Sequence, residues 1–258
     1  MKKLMLIAPL ALSLLVVACG GGGGGEQAAN AETPAATPSA PAVDPAKAGK
    51  VAGKVTLEGT PPSAETIQMA ADPNCARMHS SPVTTEFVVV GEGGALANSF
   101  VYLKSGVQGD FPPPAEPVVL DQQGCIYHPH VLGIQVGQPL EILNSDETLH
   151  NIHAMPKNNK EFNIGQPVKG LKTQRTFDAA EVMVPFKCDV HKWMNSYAGV
   201  VEHPFFAVTS QDGSFTIEGV PPGSYVVEVW HEQLGTKEMN VTVAETATSE
   251  ANFSYAAP

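Results

Sequence analysis

Short hydrophobic runs, many with polar residues at every second position, recur along the chain from about residue 50 to residue 230. A period of two is typical of strands that bury one face. The runs occupy residues 50–57, 86–90, 99–104, 117–120, 131–136, 140–143, 181–186, 199–202, 214–218 and 224–230. Turn sequences rich in Gly and Pro separate them, and no window keeps a helical period over three turns. The pattern therefore predicts an all-β chain, folded as a sandwich or barrel.

A different pattern precedes the strands. A short basic start is followed by the uncharged apolar stretch 4–17, which has the length of a secretory signal and is short for a membrane span. The stretch runs into Val16-Val17-Ala18-Cys19, which resembles the lipobox of bacterial lipoproteins. That resemblance implies a signal peptide over residues 1–18 and acylation of Cys19. The alternative is an ordinary secretory signal with an incidental cysteine.

Residues 19–49 predict a tether rather than a folded unit. Six successive glycines are followed by a segment of Ala, Pro, Thr and Glu without large hydrophobic residues other than Val43. Such a composition cannot bury a core and stays disordered. Together with the lipobox, it predicts a protein anchored by lipid on the periplasmic side or at the cell surface. Gly20 after the cysteine resembles lipoproteins sorted to the outer membrane, where a cell has two.

The charge balance narrows the class of partner. The chain has 15 Lys and Arg against 26 Asp and Glu, a formal net charge of −11, and removal of the signal would make it more negative by two. An acidic surface of this kind is unsuited to nucleic acid or anionic lipid. The remaining residues, about two hundred, suffice for one large β domain or two small ones.

Candidate metal ligands cluster late in the chain. Cys188, His191 and Met194 stand at three-residue intervals, and His150 lies upstream. A thiolate, two imidazoles and a thioether form the ligand set of a mononuclear electron-transfer copper site, because they suit both Cu(I) and Cu(II). The short run can converge on one ion from a single loop, whereas His150 must arrive from another strand.

The cysteine count agrees with a metal-bound thiolate. Apart from Cys19, the chain has Cys75, Cys125 and Cys188, and an oxidising compartment favours disulfides. A Cys75–Cys125 bridge would leave Cys188 free as a ligand. A bridge from Cys188 to either of the other two cysteines stays open as the alternative.

Three ordered segments resemble the cupredoxins, over residues 117–203. They are the strand-and-turn segment 127–137, the segment 140–151 that ends in His150-Asn151, and the ligand loop with its following strand at 186–201. The short spacing of the loop is like that of amicyanin. The resemblance implies one copper ion held by Cys188, His150 and His191, with Met194 as a distant axial ligand. It further implies that Asn151 ties the ligand segments together, that Phe186 and Trp193 shield the site from water, and that the edge of His191 reaches an apolar surface patch where redox partners dock.

Three more histidines form a candidate second metal site. His128 and His130 lie two residues apart and should leave one strand face, and His153 follows His150 by three residues. Solvated or hydrogen-bonded structural histidines are the alternative.

The C-terminal segment resembles a second family, the carboxypeptidase regulatory-like, transthyretin-like β-sandwich. The resemblance rests on Asp212-Gly213-Ser214-Phe215 and Pro221-Pro222-Gly223-Ser224-Tyr225, and on an opening strand that starts at Gly53. It implies a sandwich split into residues 50–116 and 204–248, with the cupredoxin-like unit 117–203 inserted and a tail at 249–258. Sequential units are the alternative layout.

The favoured function is a lipid-anchored one-electron carrier that works between redox protein partners. The alternative is a copper-binding protein for storage or delivery. The sequence lacks the ligands of a multicopper enzyme, a Ser-His-Asp arrangement and a phosphate loop, so we expect no enzyme activity and no small-molecule substrate.

Overall fold

The computed structural model describes residues 44–258. The predicted signal peptide, Cys19 and most of the predicted tether lie outside these residues. In the described part, no helix is long and apolar enough to cross a membrane. Its one α-helix, α1 (Pro73–Arg77), is short, and two 3-10 turns lie at Met69–Ala71 and Glu92–Gly94.

Strands dominate the described residues, which confirms the prediction of an all-β fold. In chain order the strands are β1 (Gly49–Glu58), β2 (Phe100–Ser105), β3 (Val118–Gln123), β4 (Ile126–His128), β5 (Val131–Gln135), β6 (Leu140–Asn144), β7 (His150–Ala154), β8 (Phe162–Gln166), β9 (Lys172–Arg175), β10 (Glu181–Lys187), β11 (Asn195–Val201), β12 (Phe206–Val208), β13 (Ser214–Val220), β14 (Gly223–His231), β15 (Gly235–Val243), β16 (Thr248–Glu250) and β17 (Phe253–Ala256).

Strands β3 to β11 form two sheets that share one core. The first sheet has the order β4-β3-β6-β9, and the second has the order β5-β11-β10-β7-β8. Their alternate residues meet in a single cluster, which includes the fully buried Tyr127, Ile142, Ile152 and Phe186. The two sheets therefore pack face to face, with period-two hydrophobic positions on the inner faces.

The remaining strands form a second pair of sheets. One contains β13-β1-β16 with β17 also paired to β1, and the other has the order β12-β2-β14-β15. A separate cluster that includes Val55, Leu103, Ile217 and Val227 fills the space between them. Strands β1 and β2 precede β3–β11 in the chain, and β12–β17 follow them, so the pairing of β1 with β13 and of β2 with β14 joins the two flanking segments. We propose the split layout on the basis of these pairings.

Two glycines allow the sheet of β5 and β11 to pack against aromatic rings of the other sandwich. A Cβ added at Gly199 would lie 2.3 Å from Cζ of Phe100, and one added at Gly133 would lie 2.3 Å from the ring of Phe206. The buried residues Phe100, Tyr102, Val131, Met183 and Val201 form a third hydrophobic cluster there. The absent side chains thus make room for the rings that join the two sandwiches.

Some boundaries differ from the sequence-based predictions. Residues 86–90 form no strand: they are all half-buried, without the alternation of a strand, and an isolated bridge links Val90 to Leu96 across the 3-10 turn at Glu92–Gly94. Residues 249–258, predicted to be a tail, contain most of β16 and all of β17, and both strands pair with β1. Ala251, Phe253 and Tyr255 are buried at alternate positions, which is the period expected of a strand edge on the core.

Candidate metal centre

Two segments of the second sheet carry the three predicted strong ligands. His150 opens β7, and Cys188 follows directly after the end of β10. The chain then turns back into β11 through a tight loop, in which the Cys188 N–H donates to the Met194 carbonyl at 3.1 Å and the Met194 N–H donates to the His191 carbonyl at 3.0 Å. These two hydrogen bonds close the loop, so its own backbone geometry sets the distances between its ligands.

The loop and β7 bring the three donor atoms together in the protein interior. Nδ1 of His150 lies 3.0 Å from Nδ1 of His191, and Sγ of Cys188 lies 3.9 Å from the latter atom. Cys188 and His150 are fully buried and His191 is 2% exposed. Bonds to a metal ion are about 2.0 Å long from nitrogen and about 2.3 Å long from sulfur. A nitrogen and a sulfur atom that bind the same ion can therefore be no more than about 4.3 Å apart. Both distances meet that requirement.

Carboxylates hold the outer nitrogens of both imidazoles. Nε2 of His150 donates to Oδ2 of Asp146 at 2.9 Å, and Nε2 of His191 donates to Oδ2 of Asp72 at 3.0 Å. With the proton on Nε2, each neutral ring keeps its lone pair on Nδ1, and the two lone pairs face each other beside the thiol. A metal cation between the two Nδ1 atoms would take up both lone pairs, and a carboxylate behind a histidine is the usual support of a metal ligand. The residues present therefore fit a copper ion.

The same contacts set the ionisation of the site. Burial opposes ionisation of the Cys188 thiol, but its hydrogen bonds with His150 and His191 prevail and lower its pKa to about 6. Burial likewise opposes protonation of His150, yet the hydrogen bond to Asp146 raises its pKa. A thiol that is ionised at neutral pH is ready to bind a metal, since the thiolate is the ligand.

Asn151 connects β7 to the ligand loop. Its Oδ1 accepts hydrogen bonds from the backbone N–H of Asp189 at 2.7 Å and of Val190 at 3.3 Å, and the Cys188 thiol lies 3.3 Å from the same oxygen. Its Nδ2 donates to Oδ1 of Asn163 on β8 at 2.7 Å. One side chain thereby holds the Cys188 end of the loop against the strand that carries His150.

The other residues expected at the site lie around these donors. Met194 is buried in the same core cluster as Cys188, and Phe186 is buried behind them. Trp193 is half-buried, its ring centroid lies 5.1 Å from that of His191, and its Nε1–H donates to the Cys125 carbonyl at 2.9 Å. These positions suit side chains that exclude water from the donors.

A segment before β2 covers the outer side of His191. Cys75 on α1 forms a disulfide with Cys125, and Sγ of Cys75 lies 3.4 Å from Nε2 of His191. Cys188 is the free cysteine of the described residues. The resemblance to cupredoxins implies an edge of His191 at the surface, but here Asp72 and Cys75 lie over that edge, and His191 is buried.

The hairpin between β3 and β4 presents Cys125 to this region. Gly124 and Cys125 form its two-residue turn, with φ of 65° and 58°, as a type I′ turn requires. Both backbone N–H groups point to Asp146, at 2.8 and 2.7 Å. Burial raises the pKa of Asp146, but its hydrogen bonds with His150 and with these N–H groups prevail and lower it.

The three candidate second-site histidines do not come together. His128 is exposed, whereas His130 is buried and its Nε2 lies 2.6 Å from Oε1 of Glu232. His153 contacts Asp189 and Glu161, at 3.1 and 2.6 Å. In the part of the chain that the structure describes, the close groups of three metal-ligating side chains contain none of these histidines.

Asp72 and Asp146 are the site residues that sequence reasoning missed. Asp146 lies four residues before His150 and contacts it. This closeness in the sequence is a signal that could have identified Asp146 as the partner of His150. Asp72 lies 119 residues from His191, and no local pattern indicates their contact.

Comparison with known proteins gives partial matches. The family "ER membrane protein complex subunit 7, beta-sandwich domain" matches residues 172–257, a third of the chain. Among solved structures, the copper-containing nitrite reductase from Thermus scotoductus is 21% identical over 38% of this chain and 25% of its own, with a TM-score of 0.31. The chain thus spans a quarter of that reductase.

Two smaller copper proteins are matched over nearly their whole length. A purple cupredoxin from Nitrosopumilus maritimus is 22% identical over 33% of this chain and 97% of its own, with a TM-score of 0.28. A mutant of amicyanin in its Cu(I) form is 21% identical over 39% of this chain and 97% of its own, with a TM-score of 0.29. No curated protein matches the chain.

Proposed function

We propose that this protein binds one copper ion through Cys188, His150 and His191, with Met194 as a weaker fourth ligand, and carries single electrons between protein partners. The observation that supports this most strongly is the convergence of one thiol and two imidazole Nδ1 atoms in the protein interior. A thiolate with two imidazoles accommodates both Cu(I) and Cu(II). Bound copper would supply one-electron oxidation and reduction.

The protein's own residues would keep the donor positions constant during a redox cycle. Asp146 and Asp72 orient the two rings, and Asn151 anchors the loop that carries Cys188. A cage that is formed before the metal binds needs little rearrangement when the charge of the ion changes. Because the donors are buried, water is excluded from the site, which favours electron exchange over side reactions. We propose no enzyme activity.

Copper storage or delivery is the second candidate function. It is favoured by the burial of His191, whose outer edge is covered by Asp72 and Cys75 and so is not open to a docked redox partner. The two functions predict different kinetics. A carrier exchanges electrons quickly with a small redox protein and keeps its copper, whereas a storage or delivery protein gives up Cu(I) to a chelator or an apo-protein.

Loading with Cu(II) tests the proposed centre. We expect an intense visible thiolate-to-copper absorption band and narrow copper hyperfine splitting in the electron paramagnetic spectrum. Both should be lost in Cys188→Ser and kept in His128→Gln, which removes an exposed histidine instead. A band that persists without Cys188 would show that the ligands are assigned wrongly.

We further propose that lipid on Cys19 anchors the protein on the periplasmic side of a membrane or at the cell surface. The support is the lipobox-like run before Cys19. Cys19→Ser should move the protein from the detergent phase to the aqueous phase on phase separation. Equal partitioning of wild type and variant would contradict the anchor.

A further inference from the structure

A disulfide lies against the back of one proposed copper ligand. Cys75 and Cys125 are both fully buried, and Sγ of Cys75 is 3.4 Å from Nε2 of His191. The two sulfur atoms and one nitrogen of His191 all lie within 4.8 Å of one another. Neither cysteine belongs to the donor set of the proposed copper centre, so this group is a second cluster that shares one imidazole with the first.

The two halves of the disulfide are held very differently. Cys75 lies in residues 66–84, a segment that we call the strap, which is closed by an isolated bridge between Thr66 and Thr84. In the strap only Met69 and Cys75 are buried, and the rest is exposed or half-buried. A segment with so few buried contacts moves locally at low cost in free energy.

Cys125, in contrast, is fixed in the hairpin turn. Its N–H donates to Asp146 at 2.7 Å, and its carbonyl accepts from Trp193 at 2.9 Å. If the bond between the sulfur atoms breaks, Cys75 can therefore shift with the strap while Cys125 stays beside His191. Binding of an ion between the two sulfur atoms would require that movement.

We propose that reduction of the Cys75–Cys125 disulfide creates a second metal site, for a soft monovalent cation such as Cu(I). A dithiol reductant supplies two electrons and two protons, becomes a disulfide itself, and leaves two thiols in the protein. Binding of the cation then releases both thiol protons and gives two thiolate–metal bonds, while Nε2 of His191 keeps its proton and its bond to Asp72. Thiolates select Cu(I) over harder cations. The oxidised protein lacks these two ligands, so the second site exists only after reduction.

Anaerobic titration with Cu(I), in competition with a chromogenic Cu(I) chelator, tests the proposal on the full-length protein. One sample stays oxidised, and the other is treated with dithiothreitol and desalted without oxygen. The free thiol count should rise by two on reduction, and the number of tightly bound Cu(I) ions should rise by one. A thiol count that rises by two with no increase in bound Cu(I) would overturn the proposal.

Two variants separate this site from the proposed copper centre. Cys75→Ser combined with Cys125→Ser should bind the same amount of Cu(I) with and without dithiothreitol. Cys188→Ser should still gain one Cu(I) on reduction, whether or not the first centre is assigned correctly. A gain that disappears in Cys188→Ser would contradict the proposed ligands. Loss of the β-sheet circular dichroism spectrum on reduction would also count against the site, because it needs the folded hairpin.

Discussion

Replacement of Asn151 by alanine tests how the ligand loop is held. In the metal-free protein the change removes the oxygen that accepts from the N–H groups of Asp189 and Val190, at 2.7 and 3.3 Å. It also removes the donor to Asn163. A typical intramolecular hydrogen bond contributes about 1 kcal/mol net, and the longer bonds contribute less. We therefore expect the free energy of unfolding to fall by about 2–3 kcal/mol.

Urea unfolding of the metal-free protein, followed by tryptophan fluorescence, measures this loss. The loop should also be less well ordered for metal binding, and loss of an outer-shell partner typically lowers metal affinity about 10- to 100-fold. Asn163→Ala is the comparison variant, because it leaves the backbone contacts of the Asn151 oxygen in place and removes the contact with Asn151 Nδ2 and the bond from Asn163 Nδ2 to Oδ2 of Asp189 at 2.7 Å. It should lower the free energy of unfolding by about 1 kcal/mol and lower copper affinity less than Asn151→Ala does.

The result that would refute this reasoning is equally specific. If Asn151→Ala unfolds within about 0.5 kcal/mol of the wild type and binds copper equally well, the loop is held by its own backbone bonds and not by this side chain. Equal losses in Asn151→Ala and Asn163→Ala would instead assign the effect to the contact with β8. Asn151→Asp, which keeps an acceptor oxygen, should lie between the wild type and the alanine variant.

Three further predictions concern other parts of the molecule. Burial lowers the pKa of His231 to about 4, so the unfolded chain takes up a proton at this residue below about pH 6.5 while the folded chain leaves it neutral. The contribution of His231 to stability should therefore fall by about 2 kcal/mol from pH 8 to pH 5, and urea unfolding at the two pH values should show a change that differs by this amount between wild type and His231→Asn but not between wild type and His128→Gln. Asp72→Asn should raise the reduction potential of bound copper while the visible band persists, because a carboxylate behind His191 favours Cu(II); an unchanged potential in a redox titration would contradict this. Gly199→Ala should lower the melting temperature and reduce the free energy of unfolding by about 1–3 kcal/mol, because its Cβ would lie 2.3 Å from Phe100. Gly165→Ala should have little effect, because no atom lies within 4 Å of its Cβ.

The local hydrophobic pattern of the sequence predicted those structural features that neighbouring residues determine. Alternating hydrophobic residues predicted an all-β chain, since a strand exposes every second side chain to the same face. Two of the strands that the pattern missed have a different explanation. Strand β15 (Gly235–Val243) is largely exposed, and β9 (Lys172–Arg175) is almost wholly polar, so neither carries a strong hydrophobic signal. Pairing with β14 and with β6 provides the order that their own residues do not indicate.

The candidate metal centre likewise has a part that the local sequence predicts and a part that only the fold brings together. Three-residue spacing places Cys188, His191 and Met194 in one loop, so a short run of sequence is enough to predict them as metal ligands. Only the folded sheets bring His150 to that turn, and only the packing of the strap brings Asp72 and Cys75 over His191. Contacts between residues that are far apart in the sequence depend on which strands pair and which surfaces pack together. Burial of hydrophobic residues across the whole molecule determines that packing, and neighbouring residues do not.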